Sequence, residues 1–240
     1  QFIGHECPIG SQRLNLMSMS NCPVIAIDGP TASGKGTVAA LVAGRLGYHY
    51  LDSGAIYRVL AVAVAQTGLN PDLSEDLKQI IPMAANLPVQ FQGQSILLQG
   101  NDVSEAIRTE EAGVMASRLA VVPEIRAGLL ARQRDFRQNP GLVADGRDMG
   151  SVVFPDSFLK VFLTASAQVR AERRVRQIEG RGQKADFQAI YSDLMARDKR
   201  DSERAVAPLR PCEDALVLDC SNMPIDQVVA TILNWAQERI

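Results

Sequence analysis

Histidine and cysteine are scarce in this chain. There are two histidines, His5 and His49, and four cysteines, Cys7, Cys22, Cys212 and Cys220. They form no C-x-x-C pair and show no His/Cys spacing suited to a metal. A zinc site, a dithiol motif and a disulfide framework are therefore excluded as organising features, and the cysteines are expected to be free thiols in a reducing compartment. No apolar run reaches the ~20 residues of a membrane span. The first twenty residues lack the charged start and apolar stretch of a signal peptide. Formal net charge is −2, so no global basic field gathers nucleic acid. Lysine is rare as well: only 5 of the 25 basic residues are Lys, and 20 are Arg. Sixteen of those arginines lie between Arg108 and Arg210, and arginine carries the planar fork that grips phosphate or carboxylate at two points.

What remains is a globular chain of 240 residues, 46% apolar and 22% charged, read as one large domain or one domain with an insertion. Residues 1–20 read as a leader, a cloning remnant or upstream translation, expected to be disordered, with Met17 or Met19 as a natural start. The expected domain then covers 21–240.

The most informative segment is Gly29-Pro30-Thr31-Ala32-Ser33-Gly34-Lys35-Gly36-Thr37, directly after the apolar run Val24–Asp28 and before a helical pattern, Val38–Leu46. A glycine-rich turn between a buried strand and a helix gathers backbone N–H groups and a helix N-terminus around an anion, and a lysine reaches over it. The expected guest is a phosphate-rich nucleotide. The usual pattern, G-x-x-x-x-G-K-S/T, places a metal-binding hydroxyl right after the lysine. Here Gly36 holds that position and Thr37 follows, a G-K-G-T variant typical of nucleoside monophosphate kinases.

Short apolar runs recur at Val24–Asp28, Tyr48–Asp52, Leu142–Asp145, Lys160–Leu163 and Ala215–Asp219, mostly alternating with helical patterns. That alternation predicts a parallel sheet covered on both faces, with ligands at the carboxyl ends of the strands. The residues there are the glycine-rich loop, Asp52-Ser53-Gly54, Asp145-Gly146-Arg147-Asp148 and Thr164-Ala165-Ser166. Pro224 opens a last helix to about Glu238, with Val228, Ile232 and Trp235 as its core stripe. From about Gly68 to Asn139 the alternation breaks. A β-hairpin is predicted over Val89–Gln92 and Ser95–Leu98 with its turn at Gly93, flanked by helical patterns Leu73–Ala85, Ser104–Ala120 and Pro123–Arg137. This reads as an inserted subdomain (about 68–139) that grips a second substrate, set in a core of about 21–67 and 140–240.

Three further clusters carry chemistry. On a helix over about Asp186–Ala205, Phe187, Ile190, Leu194, Arg197, Asp201 and Arg204 share one face by their 3–4 spacing. The apolar three are expected to face the core. The charged three would line a cleft, with Arg204 on phosphate and Arg197 and Asp201 on a sugar hydroxyl; a ladder of surface ion pairs is the competing account. Arg170, Arg173, Arg174, Arg176 and Arg181, ahead of Gly180 and Gly182, suggest a lid over about 170–186, although a solvated basic face gives the same pattern. In Leu51–Arg58, Ser53 is placed to cap a helix, and Arg58 could reach a phosphate over the strand ends. Asp148 suits the N4 amine of cytosine, while Arg126 and Ser117 could donate to its O2 and N3 acceptors.

Taken together, the G-P-x-x-x-G-K-G-T loop, Leu51-Asp52-Ser53-Gly54-Ala55-Ile56-Tyr57-Arg58, Ala144-Asp145-Gly146-Arg147-Asp148-Met149-Gly150 and Arg204-Ala205-Val206-Ala207-Pro208-Leu209 resemble the bacterial cytidylate kinase family over about residues 23–240. The resemblance implies an α/β fold: a P-loop kinase with three αβα layers, a five-stranded parallel sheet, an inserted monophosphate-binding subdomain with a small antiparallel sheet, and a short lid. It implies phosphoryl transfer from ATP to CMP or dCMP with Mg²⁺, by a cytoplasmic monomer without nucleic-acid or membrane partners. Gly29 to Thr37 would bind ATP. Ser117, Arg126 and Asp148 would lie at the base, Arg197 and Asp201 at the sugar, and Ser53, Arg58, Arg147 and Arg204 around the monophosphate. Lys35, Arg58, Arg147, Arg204 and the lid residue Arg174 would neutralise the transferring group. Mg²⁺ would be held by ATP and water, with Thr37 as the protein's own candidate ligand. The alternatives are another small P-loop kinase, acting on UMP, AMP or shikimate, and a GTP-dependent switch. The latter finds little support: Gln183-Lys184-Ala185-Asp186 comes near the Asn/Thr-Lys-x-Asp guanine motif, but Gln stands first and a glycine-rich loop precedes it.

Overall fold

Strand β1 (Val24–Asp28) runs VIAID and is buried along its whole length. Its residues alternate between two separate apolar clusters. Val24 and Ala26 belong to one, Ile25 and Ile27 to the other. A strand that feeds two cores must lie in the middle of a sheet covered on both faces, which is why its sequence is continuously apolar. The structure, a computed structural model, describes residues 22–92 and 95–239. The expected leader, residues 1–20, and the Gly93 turn lie outside the described residues.

In chain order the elements are β1, α1 (Lys35–Leu46), β2 (His49–Asp52), α2 (Ser53–Thr67), α3 (Ser74–Ala85), β3 (Val89–Gln92), β4 (Ser95–Leu98), β5 (Asn101–Asp102), α4 (Glu110–Leu119), α5 (Pro123–Arg134), β6 (Leu142–Gly146), β7 (Leu159–Thr164), α6 (Ala167–Glu179), α7 (Phe187–Glu203), β8 (Leu216–Asp219) and α8 (Ile225–Gln237). A 3₁₀ turn (Ala106–Arg108) precedes α4, and a π-helical turn (Met149–Val153) follows β6. The main sheet has five parallel strands in the order β2-β6-β1-β7-β8. One face packs α2 and the α3, α4 and α5 region. The other packs Val38, Ala39, Val42 and Ala43 of α1 against Val228, Val229, Ile232 and Ala236 of α8. Each fully buried Ile or Val contributes about 1.5–3 kcal/mol of transfer free energy.

Between β2 and β6 the chain makes the small antiparallel sheet β3-β4-β5 and its helices. Phe91 of β3 meets Phe136 edge-on at 5.1 Å and holds this sheet against the end of α5. The short strand β5 was not anticipated. The single helical pattern over 104–120 divides instead at Thr109, whose Oγ1 accepts from Ala112 N at 3.2 Å and starts α4 afresh. Trp235 is half-buried beside the lower cluster while Val228 and Ile232 are fully buried. Among the described residues no helix is long and apolar enough to cross a membrane.

Candidate active site

The carboxyl ends of β1, β2, β6 and β7 open on a cleft of about 1120 Å³. The loop after β1 forms its floor. Gly29 lies so close to β7 that a Cβ there would stand 2.1 Å from the Leu163 carbonyl oxygen, so only glycine fits. Ala32 and Gly34 take left-handed backbone conformations (φ 59° and 90°), which curl the loop and turn its N–H groups toward the start of α1. Thr31 to Thr37 line the cleft, while Gly29 and Pro30 are buried behind it.

Lys35 is 8% exposed, and its ammonium lies 3.4 Å from the Pro30 carbonyl it donates to. Burial, followed by repulsion from Arg147, lowers its pKa to about 8 against the pull of Asp145 and Asp52. Asp145 ends β6 beside it. Burial, then Asp52, raises the Asp145 carboxyl to about 6. The Tyr50 hydroxyl donates to Asp145 Oδ2 at 2.8 Å. A Cβ at Gly36 would stand 3.1 Å from that same oxygen and 3.5 Å from the Tyr50 hydroxyl. A side chain at position 36 would therefore crowd the Asp145 carboxylate, which is consistent with glycine at this position.

Beside Arg147, which lines the cleft, lies a group of buried side chains joined in pairs. Asp148 bonds Arg126, and Arg204 lies 3.8 Å from its other oxygen. All three are buried. Arg147 makes three bonds: to Asp201 Oδ2 (2.8 Å), to the Gly146 carbonyl (3.2 Å) and to Thr31 Oγ1 (2.6 Å). It therefore ties the glycine-rich loop to helix α7. Burial alone would raise the Asp201 carboxyl, but Arg147, then Arg197 and Arg204, hold it below the usual range. Burial, then Arg147, lowers the pKa of Arg197. Ser117 accepts from Arg200 at 3.4 Å, and Ser53 donates to Gln133 at 2.7 Å. Arg58 donates to the carbonyls of Ile107 (2.9 Å) and Thr109 (3.2 Å), fixing the insertion to α2. Among the described residues, Ser33 Oγ in the loop and Arg197 Nε and Arg204 Nη2 beside it are buried without a hydrogen-bond partner, so their donor capacity is left for a ligand.

Several expectations change. Asp52 caps α2 by accepting from Ala55 N at 3.0 Å, so Ser53 is free for Gln133. The apolar part of the α7 stripe does not face the core. Helix α7 lies across the strand-end opening, so its inward direction is the cleft, which Ile190 and Leu194 line, while Phe187 is exposed and stacks on Tyr191 at 6.0 Å. The arginines of α6 divide by role. Arg170 bonds the Thr31 and Ala165 carbonyls and pairs with Asp198 at 2.6 Å. Arg173 bonds the carbonyls of Ser33 (3.0 Å) and Cys220 (2.7 Å). These two are struts beneath the loop. Arg174 lines the cleft and pairs across it with Glu110 of α4. Glu110 and the Cys220–Met223 turn were missed as cleft residues, and Arg173, read only as part of the lid, lines the cleft as well as bracing the loop; only packing brings them there.

Three comparisons bear on what this cleft belongs to. A family model described as cytidylate kinase matches residues 25–238. A cytidylate kinase of Chromobacterium violaceum is 54% identical over 217 residues, covering 90% of this chain and 96% of its own length. One of Aeromonas salmonicida is 52% identical over 223 residues, covering 91% and 95%. Among solved structures, an uncharacterized protein from Eubacterium ventriosum superposes with a TM-score of 0.51 at 14% identity, covering 90% of this chain and 99% of that one, a likeness of fold alone. A sheet that presents a phosphate loop in its cleft and paired arginines and aspartates beside it, in a sequence more than half identical to these relatives, places the chain in the cytidylate kinase family.

Proposed function

We propose that the chain transfers the γ-phosphoryl group of ATP to CMP or dCMP, giving ADP and CDP or dCDP. One observation carries the reading: Arg147, which lines the cleft, joins Thr31 of the glycine-rich loop to Asp201 of α7, and the buried Arg126–Asp148–Arg204 cluster begins at the very next residue. The attacking group is a phosphate oxygen, already ionised near neutral pH, so no general base is required. The difficulty is bringing two anions into line, and the chain's work is positioning and charge neutralisation.

The loop Gly29–Thr37 would cradle the ATP phosphates, with Lys35 reaching the transferring group. The purine would lie against Arg173 and the Cys220–Met223 turn, which line the cleft next to the loop. Asp148 would accept from the N4 amine of cytosine. Arg126 and Ser117 would donate to the ring acceptors. Arg197 and Asp201 would hold the sugar, and Ser53, Arg58, Arg147 and Arg204 the monophosphate. Arg174 would release Glu110 and turn to the γ-phosphoryl group. Among the described residues no three His, Cys, Asp or Glu side chains converge as a metal cage. The oxygen groups near Lys35, namely the Thr37 hydroxyl and the Asp145 carboxylate, suit a hard cation carried in by the nucleotide. Mg²⁺ would therefore be held by ATP oxygens and water, with Thr37 as the protein ligand. When bound, it would neutralise negative charge on the nucleotide phosphates. The insertion (about 68–139) would be the monophosphate-binding subdomain and 170–186 the lid. Free Cys22, Cys212 and Cys220 fit a cytoplasmic enzyme, which we take to act as a monomer.

The test is an acceptor panel. Purified protein with ATP and Mg²⁺ is offered CMP, dCMP, UMP, AMP and shikimate, and ADP release is followed. Turnover with CMP and dCMP well above the rest is the expected result. No diphosphate from any pyrimidine overturns the reading, and slow GTP hydrolysis with no acceptor would support a switch instead.

A further inference from the structure

Asp28 ends β1, one residue before the phosphate loop, and does not line the cleft. Its carboxylate is 6% exposed, and both oxygens are used. Oδ1 accepts from Met149 N at 2.8 Å and Oδ2 from Gly150 N at 2.9 Å. These are the first two N–H groups of the π-helical turn that directly follows Arg147-Asp148. On the other side of that turn, the Asp148 carbonyl accepts from Val152 N (2.9 Å) and Val153 N (3.2 Å). The turn has little room to shift. A Cβ at Gly146 would stand 2.8 Å from the Met149 side chain, and one at Gly150 would stand 3.1 Å from Lys160. A π-helical turn is rare and held by few bonds of its own, so a buried carboxylate binding its first two amides fixes its orientation.

We infer that Asp28 is a positioning residue: through the Met149 and Gly150 amides it sets where the Asp148 carboxylate points, and so sets the preference for cytosine over uracil in the acceptor. This rests on the reading of Asp148 as the group that accepts from the cytosine amine. Uracil has a carbonyl in place of that amine, so an accurately aimed carboxylate repels it, and a loosely aimed one discriminates less. A residue that merely supports the phosphate loop would weaken ATP and leave the choice of acceptor base unchanged.

Burial raises the Asp28 carboxyl to about 7, opposed by its two amide bonds and by Arg147, and reinforced by Asp148. The Cys212 thiol, on the segment leading to β8, also feels its charge. Below neutrality Asp28 therefore becomes a carboxylic acid, one of its oxygens turns from acceptor to donor, and an amide of the turn loses its partner.

The experiment compares kcat/KM for CMP and for UMP, and KM for ATP, in the unaltered enzyme, in Asp28→Asn and in Asp148→Asn. Asparagine keeps the shape of Asp28 but points an N–H at one amide. Expected for Asp28→Asn is a fall of about five- to tenfold in the CMP:UMP ratio, the size of one lost hydrogen bond, with KM for ATP within about twofold. An unchanged ratio, or a raised KM for ATP with the ratio unchanged, overturns the inference. Asp148→Asn separates the two readings. If it leaves the ratio unchanged, the base-reading role of Asp148 fails; if it collapses the ratio while Asp28→Asn does not, only the present inference fails. Should Asp28→Asn not fold, Asp28→Glu, which keeps two acceptor oxygens but displaces them from the Met149 and Gly150 amides, is read in the same way: a fall in the CMP:UMP ratio is expected, and an unchanged ratio overturns the proposal.

Discussion

On the proposed reading, donor and acceptor anions would be held by different means. At the donor end the contacts are backbone N–H groups and a single lysine, arranged by glycines and by left-handed turns at Ala32 and Gly34. At the acceptor end they are side chains, six of them buried or nearly so, already paired with one another as Arg126–Asp148–Arg204 and Arg147–Asp201, with Arg197 nearby. A backbone cradle accepts any polyphosphate and depends little on which side chains surround it. A cluster of paired side chains could discriminate, since on the proposed reading each carboxylate and guanidinium would face one group of one base or sugar. The cost is desolvation of several charges, and removal of one partner leaves another buried and uncompensated.

Breaking the donor end should have the largest effect on rate. Lys35→Ala is expected to cut kcat on the order of a thousandfold while far-UV circular dichroism stays unchanged, because the loop's shape is set by its glycines. Near-normal turnover would remove Lys35 from the chemistry. Breaking the acceptor end should appear in affinity instead. Asp148→Ala is expected to weaken CMP on the order of a hundredfold in equilibrium binding, with ATP changed far less. It should also lower the melting temperature, because Arg126 and Arg204 are left buried and facing each other. Equal losses for both nucleotides would erase the contrast between the ends.

A pH series sharpens the contrast further. Lys35 has its pKa lowered to about 8, so above that pH the free enzyme loses the one titrating cation of the donor end. ATP affinity should fall as pH rises past about 8, by at most about tenfold per unit, and binding there should take up a proton, seen as a buffer-dependent enthalpy. The sign for stability is the reverse. A lysine lowered in the folded state carries its burial cost at low pH, and that cost is relieved as pH climbs from about 8 towards its ordinary value, so Lys35 adds stability over that interval. CMP affinity, which rests on arginines, should change less. The smallest effect is expected where the two ends meet. Glu110 is 61% exposed in its pair with Arg174, so Glu110→Gln should move stability by less than about 1 kcal/mol in urea titration. Its mark should be a lower KM for ATP, by no more than about threefold, from an arginine no longer held across the cleft.

The main sheet was legible because its strands are apolar runs that end in glycine or charge, and because the glycine-rich loop fixes which end carries the site. The strand bounds differ by only a residue or so: Tyr48–Asp52 was expected for His49–Asp52, and Lys160–Leu163 for Leu159–Thr164. Local reading failed where tertiary contacts decide. Nothing in Met149–Val153 announces a π-helical turn, since the bonds that fix it come from Asp28, 121 residues earlier. Asp52 rather than Ser53 caps α2, which leaves the serine to donate to Gln133, 80 residues later and invisible to a local reading. The stripe on α7 was read with the right periodicity and the wrong neighbour: spacing shows which residues share a direction, and only the fold shows what lies in that direction. The same limit hid the division of the α6 arginines into struts and cleft residues, since all are spaced alike along one helix.

Gly36 has a practical consequence for anyone wishing to regularise the loop. Restoring the hydroxyl that most phosphate loops carry after their lysine would bring a Cβ within 3.1 Å of the Asp145 carboxylate, which would have to give by a few tenths of an ångström while still accepting from Tyr50. The unusual residue is a clearance, kept open for two neighbours that arrive from other strands.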